Sequence, residues 1–198
     1  MIEMPNPIEL LLAAAIGYLL GAIPTGVLLC RALGAPDVRE EGSGHTGGLN
    51  VSRQAGIWAG ALTGILDTCL GALAVAGASH FTGSPWAAAV AGVMAAVGHN
   101  WSVFIAFRGG IGLSKLFGAL LAFSALPALA GAAIFLIVWP ILVKLLRVHR
   151  ARATVLLMAI AGPVFWLLGL SLPGIFLGAA GGLAVIVKTV PDWSRQYE

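Results

Sequence analysis

The chain is expected to fold as an all-α integral membrane protein, a single bundle of about seven transmembrane helices occupying residues 1–198, and three observations lead there. Of the 198 residues, 59% are apolar and only 10% charged, where soluble domains run nearer half and a quarter. The mean hydropathy is +0.97. The apolar residues also fall into runs separated by turn chemistry, several near the roughly twenty residues that cross a hydrocarbon core of about 30 Å. No length is left over for a separate soluble domain.

Taken in order, the runs cover residues 8–29, 57–78, 85–98, 112–126, 128–146, 153–170 and 174–187. The first follows Glu3 and Glu9, where a secretory signal would carry basic residues, and it outruns signal-peptide length, so it is expected to stay as a span. The third, fourth and seventh are short, which implies little tilt, borrowed flanking residues, or broken or re-entrant segments. Gly56, Gly60 and Gly64 recur every four residues, as do Gly174, Gly178 and Gly182. Each series is expected to be a side-chain-free face for a neighbouring helix. Asp67 falls on the first of these faces, and a carboxylate at membrane depth must turn inward and find a partner. Cys30 and Cys69 stand in no metal-ligand spacing and are expected to be packing residues.

All eleven Lys and Arg residues fit one side of the membrane. Arg31, Arg39 and Arg53 lie around the first connection, Arg108 and Lys115 around the third, Lys144, Arg147, Arg150 and Arg152 around the fifth, and Lys188 and Arg195 in the tail. The positive-inside bias makes this side cytoplasmic, with the N-terminus outside and the C-terminus inside. The net charge of +3 is thereby accounted for, and no nucleic acid is expected as a partner.

The same side carries two glycine-rich polar segments. The first has five glycines between positions 34 and 48 and continues through Asn50 to Arg53. Consecutive backbone N–H groups freed by glycine can converge on phosphate oxygens, and Arg53 can add a bidentate contact. A flexible loop would share this composition. The second runs Gly98-His99-Asn100-Trp101-Ser102-Val103-Phe104-Ile105-Ala106-Phe107-Arg108-Gly109-Gly110-Ile111-Gly112. Its glycines beside Arg108, leading into a helix, make a second anion cradle. His99 is a candidate base or a structural residue. No His and carboxylate cluster has metal-ligand spacing, so no metal or other cofactor is expected.

These segments resemble the motifs of the PlsY family of bacterial acyl-phosphate:glycerol-3-phosphate acyltransferases, seven-span enzymes that make lysophosphatidic acid. Gly42-Ser43-Gly44, Gly47, Asn50 and Arg53 match a motif like G-S-G-N-x-G-A-T-N-x-x-R. Gly98-His99, Val103-Phe104, Phe107, Gly109-Gly110 and Gly112 match G-H-x-x-P-V-F-x-x-F-K-G-G-K-G, and Asp67 matches a D-x-x-K-G pattern. The resemblance runs from Gly21-Ala-Ile-Pro24-Thr25-Gly26 to the tail. Departures stand at Ile111 and Leu70, where the family has Lys, and at His45, Leu49, Ser102 and Arg108. Of the tail motif, H-x-x-N-I-x-R-L, the resemblance extends to Arg195 and Lys188 alone.

The resemblance implies a multi-pass protein of the cell inner membrane that transfers a fatty acyl group from an acyl phosphate to glycerol 3-phosphate, in phospholipid biosynthesis. Ser43, Asn50 and His99 would be the catalytic residues. Gly42, Gly44, Gly47, Arg53, Arg108, Gly109, Gly110, Gly112, Lys115 and Arg195 would bind substrate, with Asp67 a structural polar residue. The resemblance implies no dedicated base, the substrate's own phosphate accepting the proton. His45, Lys115 or Arg152 would compensate for the absent lysines. The alternative reading is a non-catalytic member that serves as a structural subunit beside other membrane proteins; membrane lipids are partners on either reading.

Overall fold

Residues 6–195 are described by the computed structural model; Glu3 lies outside them. Helix α1, Pro7–Ala22, begins where the Asn6 side chain accepts the N–H of Ile8 and proline fills the first helical position. Pro24 lacks a backbone N–H to continue the ladder, so the helix breaks and restarts as α2, Thr25–Ala32. The polar loop follows, then the short α3, Gly48–Ala55, which stops at Gly56 with φ +90° before α4, Ile57–Thr82. Helix α5, Pro85–Asn100, is capped by Ser84, and α6, Leu113–Phe123, starts at Gly112 with φ +84°. Then come α7, Ala125–Pro140, which runs into a π-turn over Ile141–Leu145, the pair α8, Arg150–Ala159, and α9, Ala161–Leu167, and finally α10, Leu172–Thr189.

Among the described residues, five helical stretches are long and apolar enough to cross a membrane: Pro7–Ala32, Ile57–Thr82, Pro85–Ile105, Ala125–Leu145 and Leu172–Asp192. The pair α8 and α9 makes a sixth if its 46° bend is one broken span. Helix α6, with 11 residues, falls on the fourth expected run and rises only about 16 Å, too little to cross alone. The protein is therefore a multi-pass helical membrane protein, as its sequence predicts. Two of the runs read as short are longer in the fold. The third continues through His99 and Asn100, and the seventh through Lys188 and Thr189, because backbone hydrogen bonding extends a helix into polar sequence that a hydropathy reading excludes.

Glycine sets the closest helix approaches. A Cβ on Gly17, Gly21 or Gly98 would strike the backbone of Ala91, Ala95 or Tyr18, which locks α1 onto α5. A Cβ on Gly71 would strike the Lys115 carbonyl and one on Gly118 the Thr68 carbonyl, which locks α4 onto α6. The Gly174, Gly178 and Gly182 face does pack, against Phe123, Phe165 and Met158. The Gly56, Gly60 and Gly64 face does so only in part. Gly60 meets Gly48 and Ser52 of α3, but Gly56 is the hinge between α3 and α4, and nothing lies within 4 Å of a Cβ built on Gly64.

The polar connections gather at one end of the bundle. Arg108 joins the second glycine segment to the first through Glu40, at 2.9 Å, and the Arg39 carbonyl, at 3.2 Å. Arg195 reaches from the tail to the Ser43 carbonyl, at 3.1 Å, and Arg152 at the start of α8 reaches the Trp193 carbonyl, at 3.3 Å.

Candidate active site

The Pro24 break aims the next residue into the bundle. Thr25 donates from Oγ1 to Asp67 Oδ1 at 2.6 Å, and Asp67 is 1% exposed. The same carboxylate oxygen lies 3.1 Å from Lys115 Nζ and 3.7 Å from His99 Nδ1. Because α6 begins at Gly112, position 115 sits on the turn that Gly71 admits against α4, and its ammonium is fully buried on Asp67. Lys115, expected among the substrate-binding cations, is thus the counter-charge of Asp67 and does not line the large cavity described below. Leu70 leaves no lysine on α4 itself; α6 supplies the cation instead.

The first glycine segment is shaped by Asn50. Its Nδ2 donates toward the carbonyls of Val38, Glu41 and His45, at 2.8, 3.0 and 3.1 Å, and its Oδ1 accepts the Ser43 N–H at 3.4 Å. The amide group is engaged with the loop itself, so what it orients is the loop rather than a substrate oxygen directly. Gly42 and Gly44, at φ +55° and +70°, supply the left-handed turns, and a Cβ on Gly42 would sit 2.5 Å from Asn50 Oδ1. At the loop's outer edge, Arg39 clasps Asp37 with Nη2 to Oδ2 at 2.6 Å. That side-chain hydrogen bond, opposed by burial, holds the Asp37 carboxyl down at about 2.

The second segment folds back on α5. The Gly110 N–H donates to the His99 carbonyl at 3.2 Å. A Cβ on Gly110 would collide with His99 Nε2 and stand 3.3 Å from the Gly47 nitrogen, so the two glycine segments touch where neither has a side chain. Gly109 is buried against the His99 carbonyl. Arg108, expected to hold phosphate, is half exposed and paired with Glu40.

Together these segments wall a cavity of about 380 Å³. Ser43, Gly47, Asn50 and Arg53 line it from the first segment and α3, Asp67 and His99 from the bundle, and Gly112 from the head of α6. Gly42, Gly44, Arg108, Gly109, Gly110, Lys115 and Arg195 are not on its wall; they shape, tie or back the residues that are. Arg150, Trp139, Thr189 and Asp192 line it although the sequence reading assigned them no role. Arg150 belongs to a basic cluster accounted for by membrane orientation alone, and Asp192 lies in the faintest motif.

His45 Nε2 lies 2.5 Å from Asp192 Oδ2, joining loop to tail. This cavity adjoins a second one of about 290 Å³, lined mostly by apolar residues of α4, α6, α7, α8, α9 and α10. Leu113, Ser114, Phe135 and Leu136 belong to both.

A site of this kind offers cations, unpaired helix-terminal N–H groups and an imidazole at one end, and room for an apolar chain at the other. The family model for glycerol-3-phosphate acyltransferase matches residues 11–196. A glycerol-3-phosphate acyltransferase of Synechococcus sp. (strain JA-3-3Ab) is 41% identical over 184 residues, covering 92% of this chain and 87% of the relative. One from Rubrobacter xylanophilus is 37% identical over 175 residues, covering 88% and 85%. The crystal structure of PlsY, an integral membrane glycerol 3-phosphate acyltransferase, in its glycerol 3-phosphate form superposes with a TM-score of 0.80 at 26% identity, covering 94% of this chain and 90% of that one. Its lysophosphatidic acid form gives 0.77 at 25% identity, with the same coverage. The chain belongs to the glycerol-3-phosphate acyltransferase family.

Proposed function

We propose that the protein transfers a fatty acyl group from an acyl phosphate to a hydroxyl of glycerol 3-phosphate, giving lysophosphatidic acid, with the site facing the cytoplasm. The observation that carries this reading is a cavity walled by both glycine segments, with Arg53, Arg150, Asp67 and His99 on its lining, that shares a wall with a second cavity lined by apolar residues. Arg53 and Arg150 provide charge for the phosphates. Backbone N–H groups at the head of α3, at Gly47 and Gly48, and those of the first turn of α6 at Gly112, are donors for phosphoryl and carbonyl oxygens. The acyl chain runs past Phe135 and Leu136 between helices. His99, at the cavity floor beside Asp67, positions the attacking hydroxyl.

With this arrangement, catalysis comes from holding two reactants at attack distance and stabilising negative charge on the departing phosphate and on the carbonyl oxygen. The concentration of basic residues in the connections that meet at one end of the bundle supports this orientation. The purified protein, given palmitoyl phosphate and glycerol 3-phosphate, is expected to form lysophosphatidic acid, and Arg53→Ala to lower kcat/KM about ten- to a hundred-fold, the effect of one charged hydrogen bond to phosphate. Absence of turnover with the wild-type protein overturns the proposal.

A further inference from the structure

Helix α7 buries only Ala128 along its length, so little apolar packing fixes its last turn beside the cavity. The chain leaves it through the π-turn and a short connection in which Arg147 takes φ +55°. Helix α8 then begins at Arg150, with His149 Nδ1 accepting the Ala151 N–H at 3.3 Å. A side-chain link spans that connection. Trp139 Nε1 donates to Thr154 Oγ1 at 3.0 Å, and the same hydroxyl donates to the Arg150 carbonyl, one turn back along α8, at 3.0 Å. The hydroxyl is thus used as both acceptor and donor, and Thr154 is 5% exposed. Trp139, Arg150 and Thr154 all line the cavity, and none lies in a segment that carries the family resemblance.

Residues 150 and 154 are four apart and share a helix face, so the link that seats Thr154 against α7 also fixes the turn from which Arg150 projects. Arg39, Arg108, Lys115 and Arg195 each have a carboxylate partner. Among the described residues, Arg53 and Arg150, the two arginines on the cavity wall, have none. Their surroundings differ. Arg53 belongs to α3, next to the first glycine segment. Arg150 is joined through Thr154 to Trp139, whose ring stacks at 6.5 Å on that of Phe135 one turn back, and Phe135 lines both cavities. A continuous path thus leads from Arg150 along α7 to the apolar cavity.

We propose that Arg150 holds the phosphoryl group of the acyl phosphate and that Trp139 and Thr154 are its positioning residues; the proposal rests on the acyltransferase reading above. Arg53 is left for glycerol 3-phosphate. The two phosphates are then held by cations from different helices, and a loss at one subsite is read in the KM of one substrate.

The competing account is a brace that steadies α7 on α8 without bearing on either substrate. Under that account Thr154→Val, which keeps the shape and removes the hydroxyl, lowers the melting temperature and leaves both KM values as they are. Under ours, Arg150→Ala raises KM for palmitoyl phosphate about ten- to a hundred-fold, the loss of one charged hydrogen bond to phosphate, with KM for glycerol 3-phosphate little changed. Thr154→Val and Trp139→Phe each raise the same KM by a smaller factor, and Thr154→Ser, which keeps the hydroxyl, recovers the wild-type value. Adding Thr154→Val to Arg150→Ala costs no more than Arg150→Ala alone, because its effect passes through that arginine. The measurement is steady-state lysophosphatidic acid formation by the full purified chain, each substrate varied with the other saturating. In a wild type that turns over, an unchanged KM for palmitoyl phosphate in Arg150→Ala, or a rise confined to glycerol 3-phosphate, overturns the subsite. Thr154→Val and Trp139→Phe that both match the wild type, or that add in full to Arg150→Ala, overturn the positioning roles. Either result leaves the acyltransferase reading standing; an inactive wild type overturns both.

Discussion

Asn50 fixes four points of the first glycine segment at once, three carbonyls and one N–H. Removing it leaves the buried Val38 carbonyl without its partner, at a cost of about 1–3 kcal/mol, and releases three part-buried groups besides. Asn50→Ala is therefore expected to lower the melting temperature as well as kcat, whereas Arg53→Ala, at an exposed position, lowers kcat/KM alone. Lys115 behaves differently from the phosphate ligand expected of it. Fully buried on Asp67, it leaves an uncompensated charge when truncated, so Lys115→Met is expected to destabilise by about 3–5 kcal/mol, and Lys115→Met with Asp67→Leu to recover much of that loss. Thermal unfolding in detergent checks both. The Arg39–Asp37 clasp gives a pH prediction with a definite sign. Its carboxyl is depressed from 3.8 to about 2, so its stabilisation is complete above about pH 4 and is lost as pH falls through about 2. Amide exchange at Arg39, whose N–H donates to Asp37 Oδ1 at 3.0 Å, should stay protected at pH 5 and lose protection near pH 2. Ser43, Gly47, Arg53 and His99 were legible as cavity residues because each sits in a matched motif. The Asp67–Lys115 and His45–Asp192 pairs were not, since each joins residues separated by more than forty positions, and no local pattern encodes such a meeting.

At the scale of elements, the chain uses glycine for two distinct tasks. In α1, α4, α5 and α6 it permits backbone contact, as at Gly98 on Tyr18 and Gly118 on Thr68; between elements, as at Gly56 and Gly112, it permits a left-handed turn. Four-residue spacing alone could not separate the tasks, which is why the Gly56, Gly60 and Gly64 series read as one packing face. The helical runs themselves were legible to within several residues, because about twenty apolar residues in lipid have few alternatives to a helix. Their polar ends were not, and His99 sits in the last turn of α5 rather than in a loop. Helix α6 holds Gly112 at its head and Lys115 one turn in, so its seat on α4 positions both. Gly118→Leu is expected to push α6 away from Thr68 and lower melting temperature and activity together, while Leu126→Ala, on the exposed face of α7, leaves both unchanged; unfolding and turnover of the two variants check this.

Across the whole molecule, the bundle presents one polar end where four separate connections meet, and beneath it an apolar gap between α6, α7 and α9. The charge asymmetry of the connections made that end legible in the sequence; the gap was not, because it depends on how far apart lipid-facing helices stand. The departures at Leu70 and Ile111 take on a different meaning in three dimensions. Lys115 supplies a cation to Asp67, three residues before position 70, and position 111 lies on a cavity wall that Arg53 and Arg150 already charge. The protein is thus expected to act as it stands, without restoring either lysine. The most direct test is a crystal structure of the full chain with glycerol 3-phosphate and a non-hydrolysable acyl-phosphate analogue. The account predicts phosphate oxygens within hydrogen-bonding distance of Arg53 or Arg150, and an acyl chain lying between Phe135, Leu136 and Phe165. Phosphate bound outside the cavity, or an acyl chain on another face of the bundle, would contradict it.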